Sequence, residues 1–416
     1  MKVAVVGAGP AGMTAALAAA QNGNTVVLFE KNEKIGKKLY ITGKGRCNVT
    51  NASDTDAIIK NVVTNPKFLY SSLRSFGSED TMRLLEGVGV PLKIERGNRV
   101  FPVSDKSSDI IKAFDRLLSQ YGVIVRLNEA VKCFSLSGDK ISSMKTDKAR
   151  YNDFDAYILA TGGMSYSATG STGDGYTFAE KMGHTIVPPK PSLVGVYLSE
   201  VGLSDRRVSF DSSYRGISLK NVELTAFVNG KKLTSEFGEA LYTEKGLSGP
   251  IVLTLSSKLN RYLPETIELR LDMKPALTEE KLDERILRDI AASPNKDIKN
   301  FLRGLLPSGL VPLYLSVCGI PEDKKVNTLT KEERKRICLS LKELRLFISG
   351  LEPLDRAVVT SGGIDVREIR STDMRSKKIE NLSFAGEIID VDALTGGYNI
   401  QIAITTGFAA GSKIES

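Results

Sequence analysis

Residues 2–30 read KVAVVGAGPAGMTAALAAAQNGNTVVLFE, and this stretch decides the fold. Residues 2–6 form an apolar run of the kind that a parallel strand buries on both faces. Gly7 ends the run, residues 11–22 are Ala-rich with helical character, and residues 25–29 (TVVLF) give a second strand that stops at Glu30. The order strand, tight turn, helix, strand predicts a βαβ unit.

Gly7, Gly9 and Gly12 have the G-x-G-x-x-G spacing in that setting, with Ala8, Pro10 and Ala11 between them. Gly7 permits the turn, Gly9 lets backbone approach a pyrophosphate, and Gly12 lets the helix pack on the strand. The helix start at Pro10 and Ala11 offers amides and a positive dipole end to the diphosphate. At the end of the second strand, the Glu30 carboxylate can accept hydrogen bonds from both ribose hydroxyls and disfavours a 2′-phosphate. The motif therefore points to FAD or NAD and away from NADP.

The chain has 416 residues, 41% of them hydrophobic, enough for two or three domains with sizeable cores. No apolar stretch approaches the ~20 residues of a membrane span. The first strand begins at Lys2, which leaves no room for a signal peptide, so the cytoplasm is the expected location. Cys47, Cys133, Cys318 and Cys338 are far apart without C-x-x-C spacing, which argues against a disulfide scaffold, a zinc site or a dithiol pair. One histidine, His184, cannot build a metal cluster, and no metal is expected. The net charge of +8 lacks the interleaved aromatics of a nucleic-acid surface. It reads as a solvated surface with some attraction for phosphate-bearing cofactors in preference to a nucleic-acid surface.

Further along, residues 109–121 read as an amphipathic helix, 122–127 and 130–136 as strands, and 137–139 as a hairpin turn. Residues 156–160 are another apolar strand, stopping at Thr161-Gly162-Gly163. After Pro188, Pro189 and Pro191 the chain is strand-rich over 193–272, with an Asn229-Gly230 hairpin turn. From Thr278 to about Leu344 it is helical, with helix starts at Thr278 and Thr330 and interruptions at Pro307, Pro312 and Pro321. A short strand over 382–385 and a Gly/Ala-spaced helix over 397–411 return to the character of the opening. The first domain is thus expected to be interrupted and resumed: residues 1–193, an insert over 194–345 (β-rich 194–272, helical 278–345), and 346–416.

Beyond the first motif stand Gly36-Lys37-Lys38-Leu39, Thr42 to Asn51 (TGKGRCNVTN), Val100 to Ser104 (VFPVS), Gly170 to Tyr176 (GSTGDGY), Gly246 to Pro250 (GLSGP) and Gly386 to Gln401 (GEIIDVDALTGGYNIQ). In these segments the sequence resembles the BaiN/RdsA-type, HI0933-like family of NAD(P)/FAD-dependent oxidoreductases, also known as aminoacetone oxidase-like. The resemblance spans essentially the whole chain. It implies an α/β fold with a Rossmann-like FAD domain of the two-dinucleotide-binding type, interrupted by a mixed β and α domain. It also favours FAD, held non-covalently, over NAD as the dinucleotide.

The cofactor residues expected are Gly7, Gly9, Pro10, Ala11, Gly12, Glu30, Lys31 and Lys38 near the start. Gly45, Arg46, Cys47 and Asn48 follow in a glycine-rich loop whose amides, guanidinium and asparagines suit diphosphate, ribityl and the flavin edge. Val131, Thr161 and Gly162 are added from the middle, and Gly386, Glu387, Asp390, Gly397, Asn399 and Ile400 from the end. Asp390 resembles the family position that meets the ribityl or pyrophosphate region. Gly396 to Gln401 opens a helix whose amides could face the flavin N1/O2 edge, where a helix N-terminus stabilises negative charge on reduced flavin.

Cys47 reads as a packed thiol, because a disulfide reductase needs a second cysteine nearby. Tyr398, Asn399, Asn48 and Gly246 to Pro250 are pocket candidates, and no catalytic acid or base is singled out. The insert is expected to roof the flavin and choose the substrate. Arg375 departs from the family, which commonly has an acid after the preceding Met.

The resemblance implies that NAD(P)H reduces the flavin and that hydride then passes to an unsaturated small organic acceptor. No second G-x-G-x-x-G marks a nicotinamide domain, and Gly170 to Gly175 has the wrong spacing, so the donor would bind transiently over the flavin. The alternatives are an oxidase of a small amine or aminoketone using oxygen, and a flavin-bound binding or regulatory protein that could touch RNA through its positive surface.

Overall fold

The computed structural model describes residues 1–414. Strand β1 (Lys2–Val6), helix α1 (Pro10–Gln21) and strand β2 (Thr25–Phe29) form the opening βαβ unit. Val3, Ala4 and Val5 are wholly buried, as a central parallel strand requires. Pro10 opens α1, where its missing N–H costs nothing.

The chain divides into two compact units, Met1–Ser192 with Leu354–Ser416, and Leu193–Pro353. The first is built on a five-stranded parallel sheet in the order Leu382–Phe384, Ala156–Leu159, β1, β2, Ile124–Arg126. On one side of β1 the order runs outward to β2, and on the other it jumps to Ala156–Leu159, which makes the carboxyl ends of β1 and Ala156–Leu159 the topological switch point. The closing helix Tyr398–Ser412 packs on α1 at backbone distance: a Cβ on Gly407 would lie 2.3 Å from the Ala11 carbonyl oxygen, and one on Gly411 2.2 Å from that of Ala15. Small residues at those positions are what allow the two helices to flank the same strand ends.

The second unit carries seven strands in the order Arg207–Ser209, Val196–Gly202, Gly246–Ser248, Lys231–Tyr242, Ser218–Val228, Ile267–Asp272, Leu344–Leu351. Val196–Gly202 also pairs with Leu344–Leu351, so six of them close into a barrel. Asn229 and Gly230, with φ of 47° and 76°, form the hairpin turn read from the sequence. Thr278 and Thr330 cap the helices Glu279–Ala292 and Lys331–Lys342, the latter with a reciprocal bond from Glu333.

Two details differ from the sequence reading. Pro312 opens the helix Val311–Cys318 instead of interrupting one, because the first turn needs no amide there. Leu344–Leu351 is a strand belonging to the barrel, which carries the end of the second unit to Pro353, beyond residue 345. Gly246–Ser248 is a barrel strand and Gly249-Pro250 starts the helix Pro250–Leu259.

Candidate functional site

The three motif glycines divide by what surrounds them. Gly7 has φ +101°, and a Cβ there would sit 2.5 Å from the Ala160 carbonyl oxygen. A Cβ on Gly12 would be 1.8 Å from the Gly7 carbonyl oxygen. Both are demanded by the fold. A Cβ on Gly9 meets no heavy atom within 4 Å, so the space before the α1 N-terminus is open to a ligand.

At the end of β2, Glu30 is buried. Its Oε2 accepts from the Ala8 amide at 2.8 Å, and its Oε1 accepts from the Asn32 amide at 2.9 Å and from Asn32 Nδ2 at 2.7 Å. The neighbouring Glu129 amide donates to the Glu30 carbonyl at 3.0 Å, which brings Val131, first residue of the strand Val131–Ser137, to this end of the sheet. Lys31 turns away: its Nζ donates to Thr172 Oγ1 at 2.6 Å and pairs with Asp174 at 2.7 Å.

The loop Thr42 to Asn51 follows the short helix α2 (Lys37–Ile41) and has positive φ at Gly43, Lys44, Gly45 and Cys47. Arg46 lies 4.2 Å from the Phe101 ring centroid and pairs with Glu95 and Asp105, so its guanidinium is held on the neighbouring strands. Cys47 is wholly buried, and burial pushes its thiol up to about 12. The loop is stitched to the closing helix: Thr50 Oγ1 donates to Gln401 Oε1 at 2.6 Å, and Asn51 Nδ2 to the Gly396 carbonyl at 2.9 Å. A Cβ on Gly397, whose φ is +96°, would lie 2.3 Å from the Thr50 carbonyl oxygen.

At the N-terminus of that helix, the Asn399 amide is spent on backbone: Oδ1 accepts from the Ala393 amide at 2.9 Å, and Nδ2 donates to the Ala393 carbonyl at 2.7 Å. Tyr398 is half-buried, burial raising its phenol above the usual value, and Ile400 completes the first turn. Asn48 Oδ1 is buried without a hydrogen-bond partner beside Gly397, and Thr161 Oγ1 is likewise orphaned just past the strand Ala156–Leu159. Gly162, with φ +75°, continues that turn. Such atoms call for a donor or acceptor from a bound molecule or water.

A second charged cluster lies at the turn after the strand Leu382–Phe384. Gly386 has φ +79° and donates its amide to Thr406 Oγ1 at 2.9 Å. Glu387 accepts from the Thr360 amide at 2.8 Å, from Ser165 Oγ at 2.9 Å and from Lys38 Nζ at 2.7 Å. Burial pushes its carboxyl up, but Lys38 and the other donors outweigh it and hold it below the ordinary value. Asp390 goes the other way. Burial pushes it up to about 6, with Asp392 and Asp365 adding and the Asn65 amide, 3.0 Å from Oδ2, opposing.

His184 is a core residue, its Nε2 2.8 Å from Ser376 Oγ and its ring edge-on to Phe384. Arg375 donates to the Lys413 carbonyl at 2.8 Å, placing a cation at the C-terminal end of the closing helix, where the helix dipole favours it. Among the described residues no group of three or more His, Cys, Asp or Glu is placed to hold a metal, and no helix is long and apolar enough to cross a membrane.

The sequence reading missed Asn32, Ser165 and Thr360, whose polar atoms organise this region. Asn32, two residues past Glu30 on an outgoing turn, carried a signal; Thr360 carried none.

Residues 1–413 match the family model for the HI0933-like protein Rossmann domain. The chain belongs to the HI0933-like family. It is an FAD-dependent oxidoreductase. This HI0933-like chain is 30% identical over 412 residues to the ribosomal RNA dihydrouridine synthase of Haemophilus influenzae, covering 99% of the chain and 97% of that relative. It is 28% identical over 414 residues to the 3-dehydro-bile acid delta(4,6)-reductase of Clostridium scindens, covering 99% and 98%. Among solved structures, its fold is similar to that of the 3-ketosteroid-delta4-(5alpha)-dehydrogenase of Rhodococcus jostii RHA1, with a TM-score of 0.52 and 13% identity over 100% of this chain and 96% of that one.

Proposed function

We propose that this protein takes reducing equivalents from NAD(P)H and delivers hydride to a carbon–carbon double bond of an unsaturated small organic acceptor. Both relatives' names support the bond type, since each describes saturation of a carbon–carbon double bond, and the bile-acid reductase supports a small acceptor while the other name places the bond in ribosomal RNA. FAD, when bound, supplies the hydride chemistry.

The chain's own residues bind and orient. The α1 N-terminus and Gly9 would hold the diphosphate, and Glu30 the adenosine ribose. Gly45, Asn48, Thr161 and the closing helix N-terminus would meet the other half, with Asp390 at the ribityl chain. The amides of Tyr398 and Ile400 would face added negative charge there, which a helix N-terminus favours. Lys38, Glu387 and Arg46 act as fasteners of the surrounding loops, since their side chains are committed to protein partners.

The observation that carries the cofactor part of this reading is Asn48 Oδ1, buried without a partner beside Gly397 at the closing helix N-terminus, with the open Gly9 before α1, while the relatives' names carry the acceptor part. Anaerobic titration of the purified yellow protein with NADH and NADPH tests it. Stoichiometric bleaching by one of them is expected; a flavin that neither donor bleaches overturns the reading.

A further inference from the structure

Asn32 sits where three segments meet. Its amide and Nδ2 both donate to Glu30 Oε1, and Nδ2 also donates to the Thr169 carbonyl at 3.2 Å. Lys37 Nζ donates to Asn32 Oδ1 at 3.3 Å, which fixes the amide so that Nδ2 faces Glu30. A carboxylate has about four lone-pair sites. With the Ala8 amide on Oε2, protein donors fill all but one of them, and the one left open is on Oε2. Glu30 is therefore presented in a single orientation with one acceptor site free, room for one ribose hydroxyl and not for both as expected from the sequence, because Asn32 and Ala8 already occupy the other sites.

The Thr169 carbonyl belongs to the turn from Tyr166 to Gly173, which has positive φ at Tyr166, Gly170 and Gly173. Asn32 is packed so closely under it that a Cβ on Gly170 would lie 2.5 Å from Asn32 Nδ2. Lys31 fastens the far end through Thr172 and Asp174. At its near end, Thr360 Oγ1 accepts from the Met164 and Ser165 amides at 2.8 and 3.1 Å. Residues 164–174 thus form a strap that starts at the Glu387 cluster and ends over the outgoing turn of β2.

We infer that Asn32 is a positioning residue for the adenosine ribose: it aims the Glu30 carboxylate and, with Lys31, pins the strap across that end of the dinucleotide site. This rests on the dinucleotide reading above. The acceptor site left on Oε2 takes a ribose hydroxyl, and Asn32 sets its direction without touching the ligand itself.

The test compares the affinity of the full-length apoprotein for FAD and for the FAD analogue lacking both hydroxyls on the adenosine ribose. Wild type is expected to prefer FAD by about tenfold, the worth of one hydrogen bond to a charged acceptor. In Asn32→Ala the preference should fall below about threefold, because the carboxylate is no longer aimed. A general loosening of the fold would weaken both ligands equally and leave the ratio unchanged, which would overturn the inference. Lys37→Met removes the bond that orients the amide and should lower the ratio in the same direction, so a folding failure of Asn32→Ala does not end the test. Lys31→Ala should speed FAD release and reduce its dependence on salt; an unchanged release rate would contradict the strap. Failure of the wild-type protein to bind FAD would instead sink the dinucleotide reading.

Discussion

Replacing Lys38 by Met leaves Glu387 with only the Thr360 amide and the Ser165 hydroxyl as donors. Both side chains of the pair are about one-fifth exposed, 21% for Lys38 and 20% for Glu387. Breaking a fully buried pair costs about 3–5 kcal/mol, and partial solvent access lowers that here to about 2–3 kcal/mol. For a unit of this size, roughly 2 °C per kcal/mol gives a fall in Tm of about 4–6 °C near neutral pH. The pH dependence fixes the mechanism. In the wild type, Glu387 lies below its ordinary value, so its contribution is present above that value and is lost as pH falls through the lowered one. Without Lys38, burial dominates and raises the carboxyl, so acid relieves the unpaired charge. The deficit should therefore shrink at about pH 5, within the range where a raised carboxyl titrates. Thermal unfolding of wild type, Lys38→Met, Glu387→Gln and the double variant at both pH values measures this. Most of the loss should be recovered in the double variant. A deficit equal at both pH values, or strictly additive single changes, would show that Lys38 and Glu387 do not stabilise the unit as a buried pair.

Gly12→Ala puts a Cβ 1.8 Å from the Gly7 carbonyl oxygen and should yield a colourless, destabilised protein; FAD retention on gel filtration checks it. The buried Cys47 thiol, pushed up to about 12, should escape alkylation by iodoacetamide in the native protein at mildly alkaline pH and react only after unfolding, as peptide mass mapping would report. Asp390 is raised above the usual carboxylate value, so the stability it lends is complete at acid pH and is lost as pH rises through about 6. Asp390→Asn should remove that step, worth about 2–3 kcal/mol; unfolding free energies across that range decide it.

The local rules that made the opening βαβ unit legible are short-range: an apolar run, three glycines and an acid fix backbone geometry within one supersecondary unit. The Thr278 and Thr330 caps and the Asn229-Gly230 turn were legible for the same reason. Reading Leu344–Leu351 as a strand needed its partners Val196–Gly202 and Ile267–Asp272, far away in sequence, and only the closed barrel reveals them. The same limit hid side-chain direction. Arg46 and Lys31 stand in cofactor-type loops, yet their charges are satisfied by Glu95, Asp105 and Asp174, which the sequence does not place nearby. The acid missing after Met374 is likewise explained only in three dimensions, where Arg375 meets the end of the closing helix.

In the proposed function, electrons entering from a nicotinamide leave to a carbon–carbon double bond. The direct measurement is a sequential-mixing experiment in which protein reduced anaerobically by one equivalent of NADH or NADPH is mixed with an α,β-unsaturated ketone or with oxygenated buffer. The ketone is expected to restore the oxidised flavin spectrum faster than oxygen and to be recovered with its double bond saturated. Rapid reoxidation by oxygen, with the ketone recovered unchanged, would contradict it.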